Sequence, residues 1–261
     1  MIFDGKKLAE EIKSELRLKL KAKSQKLSLA VVWVGEDPVS ERYVERKKKF
    51  GLDIGVEVVV HEYPSDVLEE DLIEEITKLN NDSNVSGIIV QLPLPDDIDQ
   101  QKILNLISPD KDVDALSQEA RVLSPTVGAI KEILERNNVE LAGKKAVVLG
   151  KGKLVGKPVA IWLTGEGASV SIIDSKTADS DSLLKQADII VSGVGKPGLI
   201  TLDKIKDGVV LIDAATSEQN GSLKGDADPA CADKCSLFTP VPGGVGPLTV
   251  VMLFKNLLEL N

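Results

Sequence analysis

Leu29-Ala-Val-Val-Trp-Val34 reads as a buried strand, Gly35-Glu-Asp-Pro38 as a turn, and Ser40-Glu-Arg-Tyr43-Val-Glu-Arg-Lys47 as the opening of a helix. A β-branched apolar run bounded by Gly and Pro is a strand signal. Ser40 is the expected N-cap, its hydroxyl accepting from a backbone N–H that the first turn leaves unpaired. A helix starting there puts Tyr43 and Lys47 one turn apart on one face. That pair offers a phenol and an amine, both able to move protons. The lysine works as an acid or base near neutral pH only where burial or a neighbouring charge lowers its pKa. A solvated helix with a basic end is the competing reading, because Lys48 and Lys49 follow at once.

Strands and helices alternate on both sides of this stretch. Before it, Lys7–Lys23 carries Leu8, Ile12, Leu16 and Leu20 as a helical stripe. After it come a strand at Val56–Tyr63 and a helix from Asp66 to Leu79 with Leu68, Leu72, Ile76 and Leu79 on one side. Gly87-Ile-Ile-Val-Gln-Leu-Pro-Leu-Pro95 is a buried-type strand stopped by its prolines. A short helix with Ile103, Leu104 and Ile107 follows. This β-α-β-α-β order implies a mostly parallel sheet with helices on its faces. A helix around Val127–Asn137 bridges to a second unit, with strands at Ala146–Leu149, Ser169–Ile173, Asp188–Ser192 and Val209–Asp213. That second pattern is the small nucleotide-binding α/β kind. A polar, glycine-rich segment (Thr216–Asp228), a loop ending at Pro247 and a largely apolar helix, Leu248–Leu260, complete the chain. Ligands on parallel sheets gather at the C-terminal ends of strands. Gln91 sits near one such end, and the Tyr43/Lys47 helix begins just beyond another.

The bulk numbers exclude several classes. The chain has 261 residues, room for two modest domains, and its 43% hydrophobic and 28% charged content is globular. A net charge of −9 disfavours nonspecific nucleic-acid binding, so an anionic substrate needs a local basic patch. No apolar run approaches the roughly 20 residues of a membrane span. The N-terminus lacks a signal-peptide core and reads as the start of a cytosolic protein. Cys231 and Cys235 lack zinc or redox spacing and read as ordinary thiols. His61 is the only histidine, which excludes a multi-histidine metal site and argues against a Ser-His-Asp triad. Acid–base chemistry therefore falls to Lys, Tyr, Asp or Glu.

Three further motifs each carry two readings. Gly150-x-Gly152-x-x-x-Gly156 follows a strand and opens a helix, where glycines let backbone N–H groups approach a pyrophosphate; a plain strand-to-helix turn is the alternative. Asp174 ends the next strand, where an acid commonly bonds ribose hydroxyls and repels a 2′-phosphate. Lys151, Lys153 and Lys176 supply the opposite charge nearby, and Asp174 as a turn cap explains it equally. Asp110, Asp112 and Asp114 lack the glycine and terminal glutamate of a calcium loop, so no metal is expected. A single buried carboxylate pairing with an amine-rich heterocycle is the functional reading there, and a solvated acidic turn the other. Pro242-Gly-Gly-Val-Gly-Pro247 allows close backbone approach to a ligand or serves as a hinge.

In their order, these pieces resemble the bifunctional methylenetetrahydrofolate dehydrogenase/methenyltetrahydrofolate cyclohydrolases. The resemblance runs from Asp4-Gly-Lys through the last helix. It rests on Tyr43-x-x-x-Lys47, Val90-Gln-Leu-Pro-Leu-Pro95, Lys111-Asp-Val-Asp114, Gly150 through Val155-Gly-Lys-Pro158, Asp174-Ser-Lys-Thr177, Gly225-Asp-Ala-Asp228 and Thr239-Pro-Val-Pro-Gly-Gly-Val-Gly-Pro-Leu-Thr249. The resemblance implies an α/β fold of two domains flanking a cleft. Residues 1–117 with 243–261 would form a catalytic, folate-binding domain to which the C-terminal helix returns. Residues 118–242 would form a Rossmann-type NAD(P)-binding domain. It further implies a cytoplasmic homodimer with no nucleic-acid or membrane partner.

The implied activity is oxidation of 5,10-methylenetetrahydrofolate to the methenyl compound, then hydrolysis to 10-formyltetrahydrofolate. Lys47 is the implied acid–base residue of the hydrolytic step, supported by Tyr43 and Gln91. Asp114 is implied to bind the pterin end, and Pro242, Gly243 and Gly244 to line the folate site. Gly150, Lys151, Gly152, Ser175 and Lys176 are implied to meet the cofactor, with NADP placed ahead of NAD and no metal. A dehydrogenase with weak hydrolysis and a non-catalytic nucleotide-binding regulator are the alternatives. Where the family usually has Gly-Phe-His, this chain has Ala115-Leu116-Ser117, and Ser124-Pro125-Thr126 replaces the usual Cys-Thr-Pro. Gly150-Lys-Gly152 stands in place of Gly-Arg-Ser, and Asp174 in place of a common histidine.

Overall fold

A computed structural model describes residues 1–23, 26–219 and 221–261. The chain splits into two compact units, one of Glu10–Pro125 with Val250–Asn261, the other of Met1–Ala9 with Thr126–Thr249. Helix α1 (Gly5–Ala22) buries Leu8, Ile12 and Leu16 and leaves Leu20 half-buried.

In the first unit, β1 (Ser28–Val34) leads into α2 (Pro38–Ile54), β2 (Glu57–Tyr63), α3 (Glu69–Asn81), β3 (Gly87–Val90) and α4 (Gln100–Asn105). β1 pairs in parallel with both other strands, giving the order β2-β1-β3. Helix α2 begins earlier than expected. Its N-cap is Asp37, whose carboxylate accepts from Ser40 N at 2.7 Å, and Pro38 takes the first turn. An aspartate cap followed by proline is a stronger start than a serine further along, because proline has no N–H to leave unpaired. Ser40 is instead buried, and its hydroxyl donates to Leu92 O at 3.4 Å. Gly55, at φ 87, ends the helix in the left-handed conformation that only glycine adopts freely.

On α3 the buried face is Leu72, Ile76 and Leu79, while Leu68 stands before the helix as its N-cap and is 63% exposed. That face packs with Val32 and Val34 of β1, Ile88 and Val90 of β3, and Ile103 and Leu104 of α4. Each such aliphatic side chain, fully buried, stabilises by about 1.5–3 kcal/mol. Beyond α4 the chain returns to the sheet. Ile88 N donates to Lys111 O at 2.8 Å, and Ile88 bridges Asp112 in parallel. Lys111 Nζ donates to the carbonyls of Leu79, Asn80 and Asp82, covering the open end of α3.

The second unit follows: α5 (Pro125–Arg136), β4 (Lys145–Leu149), α6 (Gly156–Gly165), β5 (Ser169–Ile173), α7 (Ser180–Gln186), β6 (Ile189–Ser192) and β7 (Val210–Asp213). Then come a small hairpin, β8 (Ser217–Gln219) with β9 (Ser222–Lys224), the strand β10 (Leu237–Thr239) and α8 (Gly246–Glu259), which from Val250 on belongs to the first unit. The main sheet is parallel, in the order β10-β7-β6-β4-β5. Strand order reverses about β4, whose neighbours are β5 on one side and β6 on the other. Such a reversal opens a crevice at the C-terminal ends of the strands beside it. The hairpin lies in the polar segment that the sequence reads as irregular, and β10 was not expected. Both are three-residue strands, too short for periodicity to register. Beside β10, Phe3 N donates to Phe238 O and Phe238 N to Met1 O, so the chain start adds to that edge.

Among the described residues no helix is long and apolar enough to cross a membrane. Within the first unit, buried Asn256 donates to Val113 O at 2.9 Å and Leu123 O at 2.8 Å, tying α8 to the chain on either side of residues 114–122. Asn256→Ala strands both carbonyls, so urea unfolding should show a loss of about 2–4 kcal/mol. A loss under about 0.5 kcal/mol, the usual range for a surface change, would contradict this tie.

Candidate active site

Lys47 lies on α2 and is only 8% exposed. Its Nζ donates to Gln91 Oε1 at 2.7 Å. Gln91 stands one residue beyond β3, anchored by Gln91 N to Val32 O at 2.8 Å. Its Nε2 donates to Leu92 O at 2.8 Å, which fixes the amide with its oxygen toward Lys47. Burial lowers the Lys47 pKa from the ordinary 10.5, and the Asp114 carboxylate pulls the other way. A buried ammonium has lost its water, so the neutral amine gains relative to it. Tyr43 shares the face, one turn earlier, but is 41% exposed, and its ring is approached by Arg46 at 5.6 Å.

The three aspartates of the acidic stretch do three different things. Asp110 pairs with Arg121 at the surface. Asp112 is fully buried and accepts from Ser117 N at 2.9 Å and Leu116 N at 3.4 Å, holding the turn shut. Asp114 is half-buried, and no hydrogen bond from the described residues reaches its carboxylate. Burial pushes the Asp114 carboxyl above its ordinary value of 3.8, Lys47 opposes that shift, and Asp112 reinforces it. The parallel bridge between Ile88 and Asp112 accounts for the neighbourhood: two residues on, Asp114 runs level with the end of β3, where Gln91 stands. Lys47, Gln91 and Asp114 thus form one cluster of an amine, an amide and a carboxylate. Among the described residues no group of three His, Cys, Asp or Glu is placed to hold a metal.

The glycine loop belongs to the second unit, at the switch point of its sheet. Gly150 has φ +96. A Cβ on Gly156 would lie 2.1 Å from Gly150 O, so only glycine permits this return of the chain. Gly152 faces open space. Helix α6 starts at Gly156 with no side-chain cap on its first N–H groups. Lys157 N donates to Gly152 O at 3.0 Å and Pro158 has no N–H, so what this helix start offers a phosphate-bearing nucleotide is the Gly156 amide beside a glycine turn. Lys151 Nζ pairs with Asp174 Oδ2 at 2.6 Å. Asp174 also accepts from Lys176 N and the Thr177 hydroxyl at 3.0 Å each, so it caps its own turn. Chiefly through Lys151, its pKa is pushed down to about 2. The acid and the base that pull in opposite directions in the sequence therefore neutralise each other. Ser175 and Lys176 are exposed at the end of β5.

Pro242, Gly243 and Gly244 form a tight loop in the second unit, with Gly243 at φ +106. Gly5 N donates to Gly243 O at 2.9 Å, and a Cβ on Gly5 would lie 1.8 Å from Gly244 O. The sequence reading missed the buried acids Asp213 and Asp226. Their signal is the run Gly225-Asp-Ala-Asp228, since nothing in composition marks a carboxylate as buried. Cys231 and Cys235 are buried, and burial pushes their thiols up to about 11 and about 12. His61 pairs with Glu75 at 2.8 Å.

Two family models match this chain. Residues 3–114 match the tetrahydrofolate dehydrogenase/cyclohydrolase catalytic domain, and residues 110–261 match the NAD(P)-binding domain of the same family. The bifunctional protein FolD of Lachnoclostridium phytofermentans is 43% identical over 270 residues, covering 98% of this chain and 96% of that protein. The crystal structure of the bifunctional FolD methylenetetrahydrofolate dehydrogenase/cyclohydrolase from Campylobacter jejuni superposes with a TM-score of 0.96 at 36% identity, covering 100% and 98% of the two chains. The Trypanosoma brucei methylenetetrahydrofolate dehydrogenase-cyclohydrolase, solved with NADP and an inhibitor, gives 0.91 at 35% identity, over 100% and 96%.

Ala115, next to Asp114, has φ 53, a conformation that suits glycine. An alanine there costs about 1–2 kcal/mol, part of which glycine returns through its freer unfolded chain. Ala115→Gly should therefore stabilise by about 0.5–1 kcal/mol, read as a higher urea midpoint at unchanged slope. A lower midpoint would contradict the strain.

Proposed function

We infer the chemistry from one premise: the chain belongs to the tetrahydrofolate dehydrogenase/cyclohydrolase family. It is a bifunctional enzyme of folate one-carbon metabolism. It oxidises 5,10-methylenetetrahydrofolate to the 5,10-methenyl cation and hydrolyses that cation to 10-formyltetrahydrofolate. The dinucleotide is NADP, which when bound accepts a hydride from the bridging carbon. For that step the protein needs to position two rings and exclude water, and it needs no strong acid or base.

The buried Lys47–Gln91–Asp114 cluster carries the assignment of roles. In hydrolysis, water adds to the bridging carbon of the methenyl cation and gives up a proton. The bond from that carbon to N5 then breaks as N5 receives a proton and the added hydroxyl loses its own, which leaves the formyl group on N10 and one proton released overall. A lysine amine with a lowered pKa can take the first proton and return one. Gln91 Oε1 orients Nζ in either protonation state, because even the neutral amine keeps N–H bonds to donate. Tyr43 completes this face of α2 toward the substrate. Asp114, whose carboxylate receives no hydrogen bond from the described residues, is left to accept from the amino and ring N–H groups of the pterin. Its raised pKa accords with a carboxyl that waits for a donor.

Gly150, Lys151 and Gly152 would hold the pyrophosphate against the start of α6. Ser175 and Lys176 would meet the ribose side. With Asp174 tied to Lys151 and to its own turn, no free carboxylate there repels a 2′-phosphate, which supports NADP over NAD. Pro242, Gly243 and Gly244 are assigned to the folate. The proposed division of labour gives the folate to residues 1–117 with 243–261, and the dinucleotide to 118–242. The chain is proposed to work as a cytoplasmic homodimer without a membrane partner, and the net charge of −9 disfavours a nucleic-acid partner.

The test follows the ultraviolet spectrum of purified protein mixed with 5,10-methylenetetrahydrofolate and NADP. Reduced dinucleotide should appear without lasting methenyl absorbance. Lys47→Met should slow hydrolysis about a hundredfold or more, so that methenyl absorbance accumulates. Accumulation in the unsubstituted protein would mean a dehydrogenase with feeble hydrolysis, and no reduction of NADP or NAD would leave a nucleotide-binding regulator. Full hydrolysis by Lys47→Met would refute the role given to that residue.

A further inference from the structure

Asp226 is fully buried, in the second unit, far along the chain from the glycine loop. Its carboxylate makes three hydrogen bonds, all to the segment that leaves β6. Oδ2 accepts from the Ser192 hydroxyl at 2.5 Å and from Val194 N at 2.8 Å, and Oδ1 accepts from Lys196 N at 2.5 Å. A carboxylate bonding backbone N–H groups in a dry interior fixes them firmly. The segment it holds is Gly193–Lys196, at the C-terminal end of β6. That strand flanks β4, whose C-terminal end leads into Gly150, so the segment borders the switch-point crevice.

The contacts there leave no slack. A Cβ on Gly150 would come within 3.3 Å of the Val194 side chain, and one on Gly193 within 2.5 Å of Val155, the residue before α6. Val194 is 46% exposed, an apolar side chain left open beside the glycine loop. Asp226 is in turn held from behind. Buried Asp213 accepts from Ala215 N at 3.1 Å and Ala227 N at 2.8 Å, and a Cβ on Gly225 would lie 2.1 Å from its Oδ2. Two buried carboxylates therefore relay position from β7 through Gly225–Ala227 to the segment after β6.

We propose that Asp226 is a positioning residue for the dinucleotide: its carboxylate sets Gly193–Lys196, and with it Val194, as the second wall of the site whose first wall is the Gly150 loop. The proposal rests on the NADP reading above. Asp226 touches no reacting atom; with the Val194 and Lys196 amides bonded to it, its work is to hold the Val194 side chain in one arrangement. Asparagine at 226 would keep one acceptor oxygen and turn an N–H₂ toward a backbone N–H, releasing part of the segment.

The experiment compares unsubstituted protein, Asp226→Asn and Ser192→Ala by calorimetric titration with NADP. In parallel, hydrolysis of 5,10-methenyltetrahydrofolate is measured with no dinucleotide present. For Asp226→Asn the NADP dissociation constant should rise about tenfold, while dinucleotide-free hydrolysis stays within about twofold of the starting rate. Ser192→Ala removes one bond to the carboxylate and should weaken NADP about threefold, again sparing hydrolysis. Unchanged NADP binding in Asp226→Asn overturns the proposal, as does an equal fall in both activities, which marks general damage. Should Asp226→Asn not fold, Ser192→Ala decides by the same criteria. Failure of the unsubstituted protein to bind NADP would sink the dinucleotide reading itself, and this inference with it.

Discussion

The amine of Lys47 sits almost out of water, with one amide oxygen and one carboxylate for company. Burying an ammonium is costly, and a protein that does so must neutralise it, pair it or gain something from it. Here the pairing is partial. Gln91 satisfies one N–H without adding charge, and Asp114 opposes the effect of burial without cancelling it. The carboxylate is itself pushed up by burial and held down by the lysine. Burial thus favours the neutral amine and the neutral acid, while each group's charge favours the charged form of the other. The rest of the first unit serves this arrangement. α2 brings Lys47, the end of β3 brings Gln91, and the strand-like return at Lys111–Asp112 brings Asp114.

The second unit solves a different problem, with backbone rather than side chains. A dinucleotide's phosphates call for close backbone approach, and a chain return that only glycine permits at Gly156, packed against Gly150 O, is of that kind. Rigidity there comes from buried carboxylates. Asp213 and Asp226 accept from backbone N–H groups, and between them they bind the ends of β6 and β7 to the segment at Gly225–Ala227. Lys151 and Asp174 show the same economy, an acid and a base paired with each other.

Much of this was legible in the residues. The alternation of apolar runs and stripes located most of the helices and the longer strands of both sheets, because burial imposes periods of two and of about 3.6 residues on any chain that packs this way. Tyr43 and Lys47 were readable as neighbours because spacing on a helix fixes what can meet, and Gln91 was readable as the end of a strand. Other features depended on tertiary facts that spacing does not carry. Asp37 outcompeted Ser40 as the cap because Pro38 marked the true first turn. β10 and the β8–β9 hairpin were too short to show a period. Three aspartates alike in sequence took a surface ion pair, a turn and an open carboxylate, according to which of them the bridge to Ile88 turned inward. Asp226 looked like any acid of a glycine-rich run until the amides of Val194 and Lys196 were seen to converge on it.

The central claim is that burial, tempered by Asp114, holds the Lys47 amine below its ordinary pKa. The most direct measurement is a pH titration of the Lys47 side chain by NMR in protein carrying carbon-13 lysine, assigned by its absence in Lys47→Met. The expected midpoint lies below 10.5, and Asp114→Asn should lower it further, since the carboxylate's charge is what opposes desolvation. A midpoint at or above 10.5, or one that rises in Asp114→Asn, would contradict it.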